Sequence, residues 1–189
     1  MNNYEIPLPP ITDELRREAA RNPGGWVYVI DPFFDRDGAV PPHGVEGGWK
    51  VDERGELTEF QKNAKYRPSP ARLQLPPPEN KVEAAAQLAA TGYGSEADLN
   101  AALMVANVYV VANANEDIMI YTDLTGDFVA IFSSPGKIST ENVPVVLMPF
   151  SRLISRMPEN VAISLNPTSS VEVRLPASTL AEIGTDIKD

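Results

Sequence analysis

Three aspartates that could hold a cation lie close together in the first half of the chain: Asp31, Asp35 and Asp37, with Gly38 after them. Carboxylate oxygens are ligands that Ca²⁺ prefers, and a glycine permits the sharp turn of a binding loop. The EF-hand pattern is absent, because no third acidic or amide ligand follows at the right step and no glutamate closes the loop. We therefore predict a solvated turn that caps strand ends and no metal site, with a bound cation as the alternative.

Nucleophilic and phosphate chemistry lack their usual residues. The chain has no cysteine and one histidine, His43, which lies in a proline-rich loop. Histidine zinc centres and Ser-His-Asp triads therefore cannot readily form, and no serine stands in a Gly-x-Ser-x-Gly motif. The glycines of Gly92-Tyr93-Gly94 lack the lysine of a phosphate-binding loop. We predict no catalytic residue and no cofactor.

Paired carboxylates are the catalytic arrangement that the composition leaves open. The chain has 26 Asp and Glu residues, and two carboxylates at a suitable separation can hydrolyse a glycosidic bond. Most of these acids stand in predicted turns or on exposed strand faces, where a solvated surface is the simpler interpretation. A hydrolase of this kind is the third hypothesis, behind two non-enzymatic ones.

The charge of the chain restricts its partners. The 189 residues carry a formal net charge of −10 at pH 7. A protein with this charge is repelled by the negatively charged backbone of a nucleic acid. No apolar run approaches the roughly 20 residues that cross a bilayer, and the first residues lack the pattern of a signal peptide. We expect a cytoplasmic protein that binds neither nucleic acid nor a membrane interior, and the oligomeric state stays open.

An aromatic- and proline-rich region is predicted at residues 1–78. Thr12 caps a short helix, a buried strand follows at Trp26–Ile30, and a hairpin turns at Gly55. The prolines of residues 66–78 predict an extended connector.

Helices and clustered strands alternate irregularly over residues 79–189. The predicted order is helix 82–91, a helix that Ser95 caps and that runs to 106, strands 108–112, 118–122, 128–132 and 143–147, helix 150–157, strands 161–165 and 171–175, and a helix that Ser178 caps. Pro144 lacks an amide donor and places its strand at a sheet edge. This pattern favours an α+β fold: a mixed or antiparallel sheet with flanking helices, on which the N-terminal hairpin region packs. We expect one cooperative unit, because neither half has enough alternating pattern to close a separate core.

A loop with two adjacent aromatic residues is the predicted partner-binding site. It consists of Phe33, Phe34, Asp35, Arg36 and Asp37, in which apolar anchors stand beside charges that can steer a partner. Trp26 and Tyr28 lie on the strand before it, and we expect their rings to be packed in the core.

The second half of the chain resembles the N-terminal domain of the SseB family. The motifs that carry the resemblance are LNAAL at 99–103, VYVV at 108–111, FVAIFSSP at 128–135 and LNP at 165–167. In that family a strand that ends in Phe-Thr/Ser-Ser precedes a helix, and an Asn-Pro pair follows a late strand. The resemblance covers roughly residues 95–185 and implies an SseB-like α+β fold.

Other segments are similar to small actinobacterial proteins labelled type VII secretion system-associated. They are GWVYVIDP at 25–32, DRDGAVPP at 35–42, GWKVD at 48–52, YRPSP at 66–70 and AATGYG at 89–94. This likeness implies a genomic context and no mechanism.

The leading hypothesis is a cofactor-free adaptor or chaperone-like accessory protein of a type VII secretion system that acts by protein binding. The alternative is an immunity protein that neutralises a secreted toxin with its acidic surface. The two hypotheses differ in the identity of the protein partner.

Overall fold

The computed structural model describes residues 7–113, 115–138 and 143–186, with side chains up to Ile183. The chain divides into two compact units, Met1–Leu75 and Pro76–Asp189. Each unit has its own β-sheet and its own cluster of buried apolar side chains. The predicted single cooperative unit, with the hairpin region packed on the second sheet, stays a prediction.

The first unit is a three-stranded antiparallel sheet with one helix. Its elements are α1 (Asp13–Ala20), β1 (Trp26–Ile30), β2 (Val45–Val51) and β3 (Leu57–Lys62), in the sheet order β1-β2-β3. Thr12 caps α1 as predicted, because its hydroxyl accepts a 3.3 Å hydrogen bond from the Leu15 N–H. Leu15 and Ala19 of this helix form a core with Val27 and Trp49 of the sheet.

The turn between β2 and β3 confirms the predicted hairpin. Gly55 adopts a φ of 80°, and a Cβ there would lie 2.9 Å from the Cα of Ala20. Both observations require glycine. The Asp52 side chain accepts 2.8 Å hydrogen bonds from the N–H groups of Arg54 and Glu56, which closes the turn.

The predicted extended connector, residues 66–78, is wrong for its middle part. Residues 69–75 turn on themselves within the first unit, where the Leu73 N–H donates to the Ser69 carbonyl at 3.0 Å. Arg72 donates two hydrogen bonds, of 2.7 and 3.1 Å, to the buried carboxylate of Glu46 on β2. Side chains that bind distant residues therefore override the extended preference of the prolines.

The second unit is a six-stranded mixed sheet with helices, which confirms the predicted α+β class. Its elements are α2 (Lys81–Thr91), α3 (Glu96–Met104), β4 (Asn107–Val111), β5 (Ile120–Asp123), β6 (Gly126–Phe132), β7 (Val145–Pro149), α4 (Phe150–Ile154), β8 (Ala162–Leu165), β9 (Val173–Leu175) and α5 (Ala177–Asp186). The strand order is β7-β4-β6-β8-β9, with β5 also paired to β6. Only the β6–β8 pair is parallel among the described strands.

Helices cover one face of this second sheet. Alternate residues such as Val110, Ile131 and Ile163 join the side chains of the helices in the main core. The opposite face carries a smaller cluster around Val111 and Phe132. No helix in the described ranges is long and apolar enough to cross a membrane.

In the second unit, helix boundaries follow the predicted residues in two cases and differ in one. Ser95 forms a capping box with Asp98 at the start of α3, and Gly92 ends α2 with a φ of 76°. The last helix begins at Ala177, so that Ser178 lies inside it rather than at its cap. Pro176 directly precedes that first helical residue, where its missing amide costs no intrahelical hydrogen bond.

Candidate functional site

Asp31 does not belong to a solvated turn, and that prediction is wrong. Its side chain is fully buried at the end of β1. The carboxylate accepts hydrogen bonds from the Phe33 N–H at 2.9 Å, the Ser69 N–H at 3.0 Å and the Tyr66 hydroxyl at 2.8 Å. Both of its oxygens are therefore engaged in holding the loop and the segment after residue 65.

The phenol that binds Asp31 stays protonated over a wide pH range. Burial and the adjacent carboxylate of Asp31 raise the pKa of the Tyr66 hydroxyl far above its ordinary value. A protonated phenol can donate to a carboxylate, whereas a phenolate would repel it. The hydrogen bond between Tyr66 and Asp31 therefore stabilises the fold. Asp31 is not available as a cation ligand together with Asp35 and Asp37.

The two aromatic residues of the predicted partner-binding loop lie in different surroundings. Phe33 is 49% exposed, whereas Phe34 is half-buried. The Phe34 ring packs edge-on against His43, with centroids 5.7 Å apart, and a Cβ at Gly44 would overlap it. Phe33 is thus the better anchor for a partner, and Phe34 mainly holds the loop.

The charged residues of that loop face the first helix. Arg36 forms ion pairs with Glu14 at 3.2 Å and Glu18 at 2.9 Å on α1. Asp35 caps its own turn, accepting a 3.1 Å hydrogen bond from the Asp37 N–H. The loop and the helix enclose a groove of about 740 Å³ that contains charges of both signs. The structure therefore brings Phe34, Asp35, Arg36 and Asp37 together, with Arg36 already paired.

Trp26 and Tyr28 are not packed in the core, contrary to the sequence-based expectation. Trp26 is 38% exposed and Tyr28 is 56% exposed. They point to the same side of β1, because side chains two residues apart share a face. Val27, between them, faces the other way and joins the core beneath α1. One face of β1 is therefore exposed and the other is buried, although all five residues are apolar or aromatic.

A shallow groove lies along these two rings, and we call it the aromatic groove. It has a volume of about 540 Å³, and its lining includes Trp26, Tyr28, Pro42, Gly48, Gln61 and Lys62. In the sheet register Gly48 stands between Tyr28 and Gln61. A Cβ at Gly48 would lie 3.2 Å from the Trp26 ring and 3.3 Å from the Tyr28 ring. The two rings therefore lie directly over Gly48, where the lack of a side chain lets them approach the sheet closely.

A buried polar cluster occupies the second unit, and sequence analysis did not identify its centre. Glu83 of α2 is 4% exposed. Its carboxylate accepts hydrogen bonds from the Ser133 hydroxyl at 2.8 Å and the Ser134 hydroxyl at 3.1 Å, and it lies 3.5 Å from the Lys137 Nζ. Asn166 in turn donates to the Ser133 hydroxyl oxygen at 2.9 Å. We call these five residues the Glu83 cluster.

The Glu83 cluster stabilises the fold. Burial alone would raise the pKa of the Glu83 carboxyl, but the Glu79 N–H, the two serine hydroxyls and Lys137 outweigh burial and lower it. The adjoining cavity measures about 10 Å³, which is at most the space of one water molecule. The cluster ties the start of α2 to the end of β6 and to the turn after β8.

Two further observations concern metal and histidine chemistry. Within the described ranges, no group of three or more His, Cys, Asp or Glu side chains could hold a metal ion. His43 is half-buried beside Phe34, as its ring contact requires. The predicted absence of catalytic residues and cofactors stays a prediction.

The local sequence signal for the aromatic groove was the alternation of aromatic and aliphatic residues within Trp26–Ile30, which we interpreted as a buried strand. For Glu83 the signal was its place three residues after Asn80, which caps α2. An acid at that position is usually exposed and interacts with the helix terminus. The serines that bury it stand 50 and 51 residues away, and no local pattern reveals such a contact.

One comparison with known proteins gives a match. The model of a family described as SseB protein N-terminal domain matches residues 82–182, and so includes every member of the Glu83 cluster. No curated protein and no solved structure matches the chain. The Phe-Ser-Ser and Asn-Pro motifs of the resemblance are the segments that the cluster joins.

Proposed function

We propose, on the premise that this chain belongs to the SseB family, that it works by binding another protein rather than by catalysis. The observation that carries the proposal is the aromatic groove of the first unit. Trp26 and Tyr28 expose large ring surfaces on one face of the sheet, while α1 packs on the other face. Tryptophan and tyrosine are the residues most often found at the energetic centres of protein interfaces.

The state of the carboxylates supports a non-enzymatic role. The buried acids Asp31, Glu46 and Glu83 are each held by several hydrogen bonds or an ion pair. A glycosidase of the paired-carboxylate type needs one carboxyl whose pKa is raised, so that it can donate a proton. Among the described carboxyls, hydrogen bonds to backbone N–H groups and to hydroxyls hold the pKa values of Asp52, Glu83, Asp98 and Asp123 below their ordinary values.

The partner that we propose is a component or substrate of a type VII secretion system, for which the chain serves as an adaptor or chaperone-like accessory protein. Three of the segments similar to proteins with that label, residues 25–32, 35–42 and 48–52, contribute lining residues to the aromatic groove. They supply Trp26 and Tyr28 as its walls and Gly48 as its floor. The likeness therefore coincides with the surface that the geometry favours for binding.

An immunity protein is the second candidate, and the net charge of −10 favours it. An acidic surface suits a toxin with a basic cleft and would speed the encounter between the two. The accessory and immunity proposals use the same kind of interface, and they differ in whether the partner is secretion machinery or a toxin.

Affinity capture with the full chain tests the proposed function. The tagged protein is expressed in its native host, bound proteins are identified by mass spectrometry, and the main partner is purified for direct titration. We expect Tyr28→Ala to weaken that interaction by roughly tenfold or more. Tyr121→Ala, at a tyrosine of the second unit that is 39% exposed, is the matched control and should leave the affinity unchanged.

Two results decide between the proposals: which protein is captured, and whether its affinity depends on Tyr28 or Phe33. A secretion component or secreted substrate supports the accessory role, and a toxin that the chain inhibits supports the immunity role. Phe33→Ala examines the predicted loop, of which Phe33 is the exposed anchor. If the affinity of the purified partner is the same for wild type, Tyr28→Ala and Phe33→Ala, the first unit is not the binding site and the proposal is wrong.

A further inference from the structure

We propose that the side chains of Asn22 and Arg36 close the free edge of β1 and thereby keep this strand from pairing with a second copy of the chain. β1 is the strand that exposes the rings of Trp26 and Tyr28. Unpaired N–H and C=O groups on an edge strand are a template for another strand, and exposed apolar residues increase that risk. The inference is independent of the proposed function, because it concerns the edge of the first sheet and not its face.

The backbone groups of Trp26 and Tyr28 point to this free edge. Among the described strands, β1 pairs only with β2. Successive residues of a strand in an antiparallel sheet direct their N–H and C=O groups alternately to one side and to the other. The Gly25 carbonyl accepts a 3.0 Å hydrogen bond from the Val51 N–H of β2. Trp26 and Tyr28, one and three positions later, therefore direct their N–H and C=O groups away from β2.

Side chains from outside the strand bind both of these outward carbonyls. Asn22, which follows α1, donates a 3.1 Å hydrogen bond from Nδ2 to the Trp26 carbonyl. Arg36, in the loop after β1, donates a 3.3 Å hydrogen bond to the Tyr28 carbonyl. A strand added to this edge would place its own N–H groups about 2.9 Å from the same oxygens. The two side chains therefore lie where the backbone of an added strand would run.

Further contacts hold both side chains at the edge. A Cβ at Gly25 would lie 2.4 Å from the Nδ2 atom of Asn22, so Asn22 reaches the edge of β1 only because residue 25 is glycine. Arg36 also forms its ion pairs with Glu14 and Glu18 of α1, at 3.2 and 2.9 Å. The helix and the glycine thus fix the two donors in front of β1.

The composition of β1 explains why its protection comes from other segments. Edge strands of natural proteins are usually protected by charged side chains, prolines or bulges. β3, the other edge of the first sheet, contains Glu59 and Lys62, and its register shifts between Trp49 and Val51 of β2. The five residues of β1 include no charged residue and no proline, and its own register shifts only near its end. Asn22 and Arg36 supply what the strand itself lacks.

Sedimentation velocity of the full chain over a range of concentrations tests the proposal. We expect the double variant with Asn22→Ala and Arg36→Ala to self-associate with a constant at least roughly tenfold larger than that of wild type. Loss of Arg36 makes the chain more acidic, so the repulsion between copies rises and does not explain a gain in association. Arg16→Ala, at an exposed arginine of α1, removes the same charge and is the matched control, with association unchanged.

Tyr28→Pro shows whether the association uses the edge of β1. Proline at this position removes an N–H that points to the free edge, whereas the hydrogen bonds between β1 and β2 remain. Added to the double variant, Tyr28→Pro should return the association to the wild-type level. Asn22→Ala alone leaves the ion pairs of Arg36 in place and should give a smaller gain than the double variant. Circular dichroism checks that each variant is folded.

A folded double variant that associates no more than wild type overturns the proposal, and so does a gain in association that Tyr28→Pro leaves unchanged. If the double variant does not fold, Asn22→Ala decides in the same way: association equal to that of wild type overturns the proposal. The proposed function has a different readout, which is the affinity of a captured partner for wild type and Tyr28→Ala. Either conclusion can therefore fail while the other stands.

Discussion

The hydroxyl of Tyr66 donates a 2.8 Å hydrogen bond to Oδ2 of Asp31, which stands 35 positions earlier in the sequence. The contact fastens the end of β1 to the segment that leaves the first sheet. It explains why three aspartates that look like a cation loop do not act together. The side chain of Asp31 is buried in the first unit, whereas Asp35 and Asp37 lie at the surface.

Removal of this hydroxyl should destabilise the first unit. Tyr66→Phe keeps the ring but deprives a buried carboxylate of one donor, so we expect a loss of about 1–3 kcal/mol in the free energy of unfolding. Urea denaturation at pH 7 measures the loss. Tyr28→Phe removes an exposed hydroxyl and is the control, with no change expected. Equal stability of Tyr66→Phe and wild type would contradict the structural role of the pair.

The same pair makes stability depend on alkaline pH. The pKa of the Tyr66 hydroxyl is raised in the folded protein above the ordinary value of 10.0. The folded state therefore holds a proton that the unfolded state releases, and stability falls as the pH rises above about 10. Below that value the contribution is fully present. The wild type should thus lose more stability than Tyr66→Phe between pH 9 and pH 11.

The Glu83 cluster should control the stability of the second unit at acid pH. The pKa of the Glu83 carboxyl is lowered from 4.5, so its contribution is complete above about that pH and is lost as the pH falls through the lowered value. Glu83→Gln should cost about 1.5–3 kcal/mol at pH 7, because hydrogen bonds to a charged group are lost.

Denaturation curves at several pH values test this expectation. The cost of Glu83→Gln should shrink towards pH 3, where the wild-type carboxyl becomes protonated. Glu159→Gln changes an exposed glutamate of the same unit and should have little effect at any pH. A cost of Glu83→Gln that is constant from pH 7 to pH 3 would show that the charge of Glu83 does not stabilise the fold.

Local sequence signals predicted most of the helices and strands. The differences between prediction and structure arise at residues whose partners are distant in the sequence. Thr12, Ser95 and Gly92 act within one helical turn of themselves, and each does what its residue type predicts. Asp31 and Glu83 differ from expectation because their partners stand 35 to 51 residues away. Propensity and spacing contain no information about such pairs.

The candidate site shows the same limit. The sequence identified the aromatic residues around position 30 as a possible interface but assigned the wrong ones to the core. Whether Trp26 and Tyr28 are buried depends on which face of β1 receives α1. The packing of Val27 and Trp49 against α1 determines which face is buried. A short run of apolar residues in the sequence does not show which of the two faces of the strand will be covered.

Cooperativity between the two units remains to be measured. The sequence predicts that residues 1–78 and 79–189 unfold together in one transition. A fragment of residues 76–189 should then melt at a lower temperature than the full chain, as calorimetry would show. A fragment with the melting temperature of the full chain, or two transitions in the full chain, would make the units independent.

Photocrosslinking in the native host shows whether a protein binds at the aromatic groove, because it records which protein touches that surface. A benzophenone amino acid replaces Tyr28 in one version of the chain and Tyr121 in a control version. We expect a crosslinked protein that appears from position 28, is absent from position 121, and is a secretion component, a secreted substrate or a toxin. If position 28 gives no crosslinked protein, or gives the same products as position 121, the aromatic groove is not a protein-binding site.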